Sequence, residues 1–138
     1  MSQSNTRVGD FPITAGVDLR GKEGYLVRIG SDSGRAVALL PEKNDEPLLF
    51  VLLEGADVGG TVSLRPLESG RSVRVRLDGS CEPGALLMVL WNGGQEGKVI
   101  WLPEVPGTFY SHLVALESGT TGQLVLAMPA SAYVVKEN

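Results

Sequence analysis

Ser72-Val73-Arg74-Val75-Arg76-Leu77 changes character at every residue, with Val73, Val75 and Leu77 apolar and the serine and arginines polar. A period of two sends successive side chains to opposite faces, so this stretch predicts a β-strand with one dry and one wet face. Thr61-Val62-Ser63-Leu64-Arg65 repeats the alternation. Residues 24–29 and 35–40 flank Gly30-Ser31-Asp32-Ser33-Gly34, whose glycines and short polar side chains favour a turn, and the pair predicts a hairpin. Residues 48–53 and 86–91 are more continuously apolar, as strands covered on both faces are. Short apolar runs also fit buried helix, but their length and the bounding Pro47, Gly55, Pro83, Gly84 and Asn92 decide for strand. Residues 99–101, 109–116 and 123–128 complete a set of about nine short strands, the pattern of an all-β sandwich or barrel.

Helix is expected to be scarce. No Gly- and Pro-free stretch of eleven residues carries an apolar stripe at helical spacing, and a single turn near residues 129–133 is the only candidate. Residues 1–15 lack a core pattern and contain Gly9 and Pro12, so they read as an extended arm preceding one β domain over 16–138. A chain of 138 residues with a hydrophobic fraction of 43% can bury a core of its own without disulfides. Its 18 glycines follow no Gly-X-Y period, which excludes collagen and suits a protein with many turns.

Charge and cysteine usage narrow the function classes. Twelve basic against 16 acidic residues leave a net charge of -4, which disfavours broad binding to a nucleic-acid backbone. The lone Cys81 has no internal disulfide partner, the opening ten residues show no secretory pattern, and no apolar run approaches the ~20 residues of a membrane helix. These features predict cytosolic assembly. Arg65, Arg71, Arg74 and Arg76 concentrate four cations in twelve residues, either as the solvated face of a strand or as a contact for an acidic protein surface.

Little in the chain predicts chemistry. His112 is the only histidine and lies in a β-type run, which points to a structural or interface role. Asp32-Ser33-Gly34 matches a serine-protease tripeptide, but three residues inside a turn signal are turn chemistry. One Cys and one His supply no zinc motif, and Glu42, Asp45 and Glu46 lack the alternating spacing of a calcium loop. The glycines of 55–60 and 93–97 lack a phosphate-loop lysine. No catalytic group, cofactor or metal is expected. Trp91 and Trp101 are read first as core or interface residues and second as a sugar-stacking platform.

Two stretches carry a family resemblance. Val51-Leu52-Leu53-Glu54-Gly55-Ala56-Asp57-Val58-Gly59-Gly60-Thr61-Val62-Ser63-Leu64 resembles a strand-glycine-strand passage of tailed-phage head decoration, or capsid cement, proteins. Val114-Ala115-Leu116-Glu117-Ser118-Gly119-Thr120-Thr121-Gly122-Gln123-Leu124-Val125-Leu126 is similar to their C-terminal strand pair, and Glu82-Pro83-Gly84-Ala85-Leu86-Leu87 to a glycine turn between them. The loop over 41–47 and the two-proline loop over 101–107 depart from that pattern. The resemblance implies a β-tulip-like barrel, a homotrimer at a capsid three-fold position, an N-terminal arm on the major capsid protein, and no catalytic residues.

The expectation is therefore a non-enzymatic virion protein that binds and stabilises an assembled capsid. It would need neither nucleic acid nor membrane. Candidate contacts with the capsid or a neighbouring subunit are Arg7, Phe11, Arg74, Arg76, Trp91, Trp101 and Phe109. The alternative is a small-ligand or carbohydrate-binding β-barrel module.

Overall fold

The alternating segments form the strands that their period requires. The computed structural model describes residues 9–137, which contain ten strands and no helix. They are β1 (Phe11–Ala15), β2 (Leu26–Asp32), β3 (Arg35–Leu39), β4 (Phe50–Glu54), β5 (Thr61–Pro66), β6 (Val73–Arg76), β7 (Leu86–Val89), β8 (Val99–Trp101), β9 (Gly107–Ala115) and β10 (Leu124–Lys136). The first five close into a barrel in the order β1-β3-β2-β4-β5, and the rest form a sheet in the order β6-β10-β9-β7-β8. The predicted all-β barrel or sandwich is thus a barrel with a second sheet packed against it.

The tenth strand is β1, and it corrects the arm expected over residues 1–15. Phe11, Ile13 and Ala15 face the barrel interior with Val62 and Leu64, while the backbone pairs antiparallel with β5 and parallel with β3. Five residues containing a proline are too short for the alternation to be read, and only the tertiary partners reveal it. Residues 1–8 of the expected arm lie outside the described residues.

The predicted hairpin is β2 and β3, joined by Ser33-Gly34 with Asp32 opposite Arg35. Both loop residues have positive φ, 53° at Ser33 and 80° at Gly34. That is the I′ geometry whose twist matches the flanking strands. The single turn expected near residues 129–133 is instead the middle of β10. The register against β9 shifts there, from Pro129 opposite Leu113 to Ala132 opposite Ser111, so Ala130 and Ser131 together oppose His112. This is a β-bulge, a place where a sheet tolerates a proline.

Two cores result, and β2 and β4 belong to both. Val27 and Leu52 point into the barrel with Leu19, Val62 and Leu64. Their neighbours Leu26 and Val51 point outward into a core with Val75, Leu77, Leu87, Leu113 and Val125 of the second sheet. Of the two runs read as strands covered on both faces, residues 48–53 are covered in this way as β4, whereas β7 from residues 86–91 contributes Leu87 and Val89 to the second core alone.

Polar joints hold the two layers in register. Gly24, at φ 88°, accepts from the Arg76 amide at 2.9 Å and donates to Leu52 O at 2.8 Å. A Cβ at Gly24 would run into the Leu124 side chain. The Arg76 guanidinium donates to Glu23 O at 3.1 and 3.3 Å and to Gly122 O at 2.8 Å. The Leu26 amide donates to Gly97 O at 2.7 Å.

Gly24→Ala is therefore expected to destabilise the protein by ~2 kcal/mol or more, through both clash and positive φ. Ser33→Asn, which suits the left-handed turn position, should add about 0.5 kcal/mol. Chemical denaturation of the two variants measures both, and a neutral Gly24→Ala would show that the joint is not tight.

Candidate partner-binding surface

The arginine cluster is committed inside the molecule. Arg65 makes two hydrogen bonds to Asp10 at 2.8 and 3.1 Å, with Arg71 3.8 Å from the same carboxylate. Arg74 donates to Glu117 at 2.8 Å, and the same carboxylate oxygen caps the Leu126 amide at 2.9 Å. Arg76 is the staple between layers described above. These partners hold Asp10 and Glu117 below the ordinary carboxylate range: the Arg65 hydrogen bond does so for Asp10, and the Leu126 amide, then Arg74, for Glu117. The clustered charge that suggested an external acidic partner is satisfied mainly by intramolecular carboxylates and carbonyls.

The aromatic candidates are dispersed. Phe11 is half-buried, edge-on to Phe50 with ring centroids 5.6 Å apart, and supports the barrel core. Trp91 follows β7 and lines a groove of about 500 Å³ with Val17, Leu39 and Pro41. Trp101 is exposed on the three-residue edge strand β8, where it pairs with Leu87. Phe109 is half-buried on β9 beside Gly107. Among the described residues no ring contact joins Trp91, Trp101 and Phe109. Arg7 lies outside the described residues.

The structure assembles a different surface from the 41–49 loop and the far ends of β9 and β10. Leu48 and Tyr133 are the most exposed large apolar side chains among the described residues, at 71% and 69%. Leu48 stands between two hollows. One, of about 430 Å³, is lined by Arg28, Ile29, Glu46, Pro47 and Phe50. The other, of about 270 Å³, is lined by Pro47, Leu49, Leu67, His112, Pro129 and the bulge residues Ala130 and Ser131. Next to it, the Tyr110 ring packs on His112 at 5.3 Å and on Tyr133 at 6.2 Å.

His112 is 7% exposed. Its Nε2 lies 3.1 Å from the carbonyl oxygen of Glu46, which can only accept, so Nε2 carries the proton. Nδ1 is then a bare acceptor, and it has no hydrogen-bond partner in the protein. Burial pushes the pKa of the ring below its ordinary value, only partly opposed by Glu46 and Asp45.

The two outer edges of the β9–β10 ribbon are treated differently. On the β9 side Asn44 behaves as a strand stub: its Oδ1 accepts from the Tyr110 amide at 2.7 Å and its Nδ2 donates to Tyr110 O at 3.2 Å. Because both backbone groups of Tyr110 turn to Asn44, Tyr110 and its opposite Tyr133 form a non-hydrogen-bonded pair. Tyr133 consequently points its N–H and C=O outward on the β10 side. There β6 covers only Leu124 to Ala127, and among the described residues no strand pairs with the rest.

The reading from sequence gave His112 a structural or interface role, and the structure buries it against Glu46 O; sequence did not find Leu48, Asn44, Tyr133 or the cavity. Pro129 inside an apolar run was the available signal for the bulge.

The depressed His112 pKa sets a pH dependence. The unfolded chain takes up a proton near the ordinary histidine value that the folded chain refuses, so stability is full above about pH 6.5 and falls as pH drops below it. The depressed carboxylates Asp10, Glu117 and Asp18, the last lowered to about 2 by Arg20, act in a separate window below about pH 4. Melting temperatures at pH 7.5 and 5.5 should differ for the native protein and far less for His112→Phe. Equal slopes would place the proton uptake elsewhere.

No family model matches the sequence, and no curated protein matches it. Among solved structures the chain is similar to the N-terminal base of head fiber gp8.5 of bacteriophage phi29, at 14% sequence identity and a TM-score of 0.62, over 88% of this chain and 92% of that one. At that identity the likeness is one of fold: the barrel-plus-sheet architecture described above is also that of a phage head fiber base.

Proposed function

We propose that this protein is a structural component of a tailed-phage head, binding the outer surface of the assembled capsid and stabilising it without catalysis. The observation that carries the reading is the shared fold with a head fiber base over nearly the whole of both chains. The sequence resemblance to head decoration proteins is an independent line to the same class. The surface chemistry suits the role. A net charge of -4 keeps the free protein soluble, and the exposed Leu48, Tyr133 and Val135 supply apolar contact area beside a strand edge.

The same reading makes the protein a homotrimer in the virion, assembled in the host cytoplasm, with the major capsid protein as its partner. A three-fold assembly lets equivalent subunits meet equivalent capsid sites, and linked weak contacts multiply. Arg7 and Phe11, near the chain start, and the exposed Trp101 remain proposed contacts.

Purified protein is expected to sediment with expanded heads of its own phage that lack it, and to raise the temperature at which those heads release DNA. Leu48→Asp together with Tyr133→Asp should weaken that binding at least tenfold while leaving the fold intact. Heads that bind none of the native protein would remove the role. Sedimentation equilibrium at micromolar concentration, with and without heads, tests the trimer.

A further inference from the structure

We propose that Asn92-Gly93, at the tip of the loop over 90–98 that joins β7 to β8, is a self-modifying site. Asn92 converts to aspartate and isoaspartate through a cyclic imide, which adds a negative charge beside Trp91 without loosening the fold.

The chemistry needs a side-chain amide, the backbone nitrogen that follows it, and water. A peptide nitrogen is a poor nucleophile while its lone pair is delocalised, so it attacks once hydroxide has taken its proton. The Gly93 nitrogen then bonds to Cγ of Asn92, the Cγ–Nδ2 bond breaks, and Nδ2 takes up a proton and leaves as ammonia. The product is a five-membered imide. Water adds to one of its two carbonyl carbons, and the bond from that carbon to the Gly93 nitrogen breaks. Opening at Cγ gives aspartate. Opening at the main-chain carbonyl gives isoaspartate, in which the chain runs through Cγ. Nothing is oxidised or reduced, and water is the only co-reactant.

Three features permit this attack at Asn92. Asn92, Gly93 and Gly94 are all exposed, at a loop tip of the kind where chemical change concentrates. Gly93 has no Cβ to crowd ring closure, and a Cβ at that position would have nothing within 4 Å, so the surrounding space is open. The Gly93 N–H donates to no backbone acceptor among the described residues, which leaves it to solvent. Asn44, the other asparagine among the described residues, is the opposite case. Its Oδ1 accepts from the Tyr110 amide at 2.7 Å and its Nδ2 donates to Tyr110 O at 3.2 Å, so the side chain is pinned to a strand, and Asp45 rather than a glycine follows it.

The base of the loop is as firmly held as the tip is free. The Leu90 amide donates to Lys98 O at 2.8 Å and the Gly97 amide to Leu90 O at 2.9 Å, while the Leu26 amide ties Gly97 O to the barrel at 2.7 Å. Isoaspartate lengthens the main chain by one carbon between residues 92 and 93, outside all three bonds. The joint between the layers is therefore kept. The new carboxylate stands next to Trp91, whose groove already holds Glu42 and Glu96, on a chain with a net charge of -4.

The test is an incubation of the folded full-length protein at neutral and at mildly alkaline pH, followed by tryptic mapping. Peptide 77–98 contains Asn92 as its only asparagine. It should gain the mass of OH in place of NH2, as two products that separate on chromatography, at a rate that rises in proportion to hydroxide. The peptide that carries Asn44 should stay unchanged over the same period. Asn92→Gln, which needs a six-membered ring, and Gly93→Ala, which puts a Cβ beside the attacking nitrogen, should each slow the reaction by about tenfold or more. Anion exchange isolates the modified protein, and its denaturation midpoint should equal that of the unmodified form. No gain at residue 92, equal rates at residues 44 and 92, or aspartate as the sole product, which direct hydrolysis would give, would overturn the proposal. A lowered midpoint would overturn the claim that the change lies outside the joint.

Discussion

Where β2 and β4 pair, at Leu26–Val27 and Val51–Leu52, both faces are dry, and the rest of the molecule is arranged around that fact. Leu26 and Val27 are consecutive residues in different cores, as are Val51 and Leu52. Each fully buried side chain of this kind is worth about 1.5–3 kcal/mol, so the shared wall contributes to barrel and sheet together. A strand buried on both faces lacks the usual protection against slipping, because a shift of one residue exchanges one apolar set for another. Register must come from polar geometry. The Gly24 backbone bonds, the Arg76 staple and the Leu26–Gly97 hydrogen bond meet that need, all near the start of β2. Gly55 adds a further constraint after β4, where a Cβ would collide with the Leu19 carbonyl.

The same demand explains where the charges went. A small barrel-plus-sheet exposes several strand edges, and open edges invite unwanted pairing. β6 carries two arginines, one tied to Glu117 and one to backbone carbonyls. β8 has only three residues, and Asn44 occupies the edge of β9 at Tyr110. Among the described residues the β10 edge from Ala130 onward is the exception to these closures, and it carries the exposed Tyr133 and Val135, with Lys136 engaged by Glu104 at its end. An edge that no strand covers among the described residues, where other edges are closed, is a natural place for association.

The fold class was legible in residues 72–77 because alternation with charge on one face admits a single secondary structure. The nine expected strands are nine of the ten found, and the hairpin around Ser33-Gly34 was readable from its turn residues. β1 was hidden because its pattern is short and interrupted by Pro12, and because its partners lie some 25 and 50 residues away along the chain. The candidate site was far less legible. Sequence gave the arginines prominence through their number, yet their role depends on Asp10, Glu117 and Gly122, which no spacing rule connects to them. Leu48 looked like one more member of an apolar strand, whereas the strand starts at Phe50 and leaves it in solvent.

Placing the cavity on a bulge rather than on a loop has a physical consequence. Ser111 and Leu113, which flank His112 on the strand opposite the bulge, are fully buried, Leu113 in the core between barrel and sheet. The β9–β10 wall of the hollow is therefore anchored to that core, while Pro47, Leu48 and Leu49 come from the loop before β4. Preorganisation of this kind lowers the entropic cost that limits affinity in small interfaces. With the arginines already engaged, the surface attracts through apolar area and backbone hydrogen bonds more than through charge. Such contacts are short-ranged and persist at salt concentrations that screen ion pairs. The proposed attachment to a capsid, across changing ionic strength, would be well served by that balance.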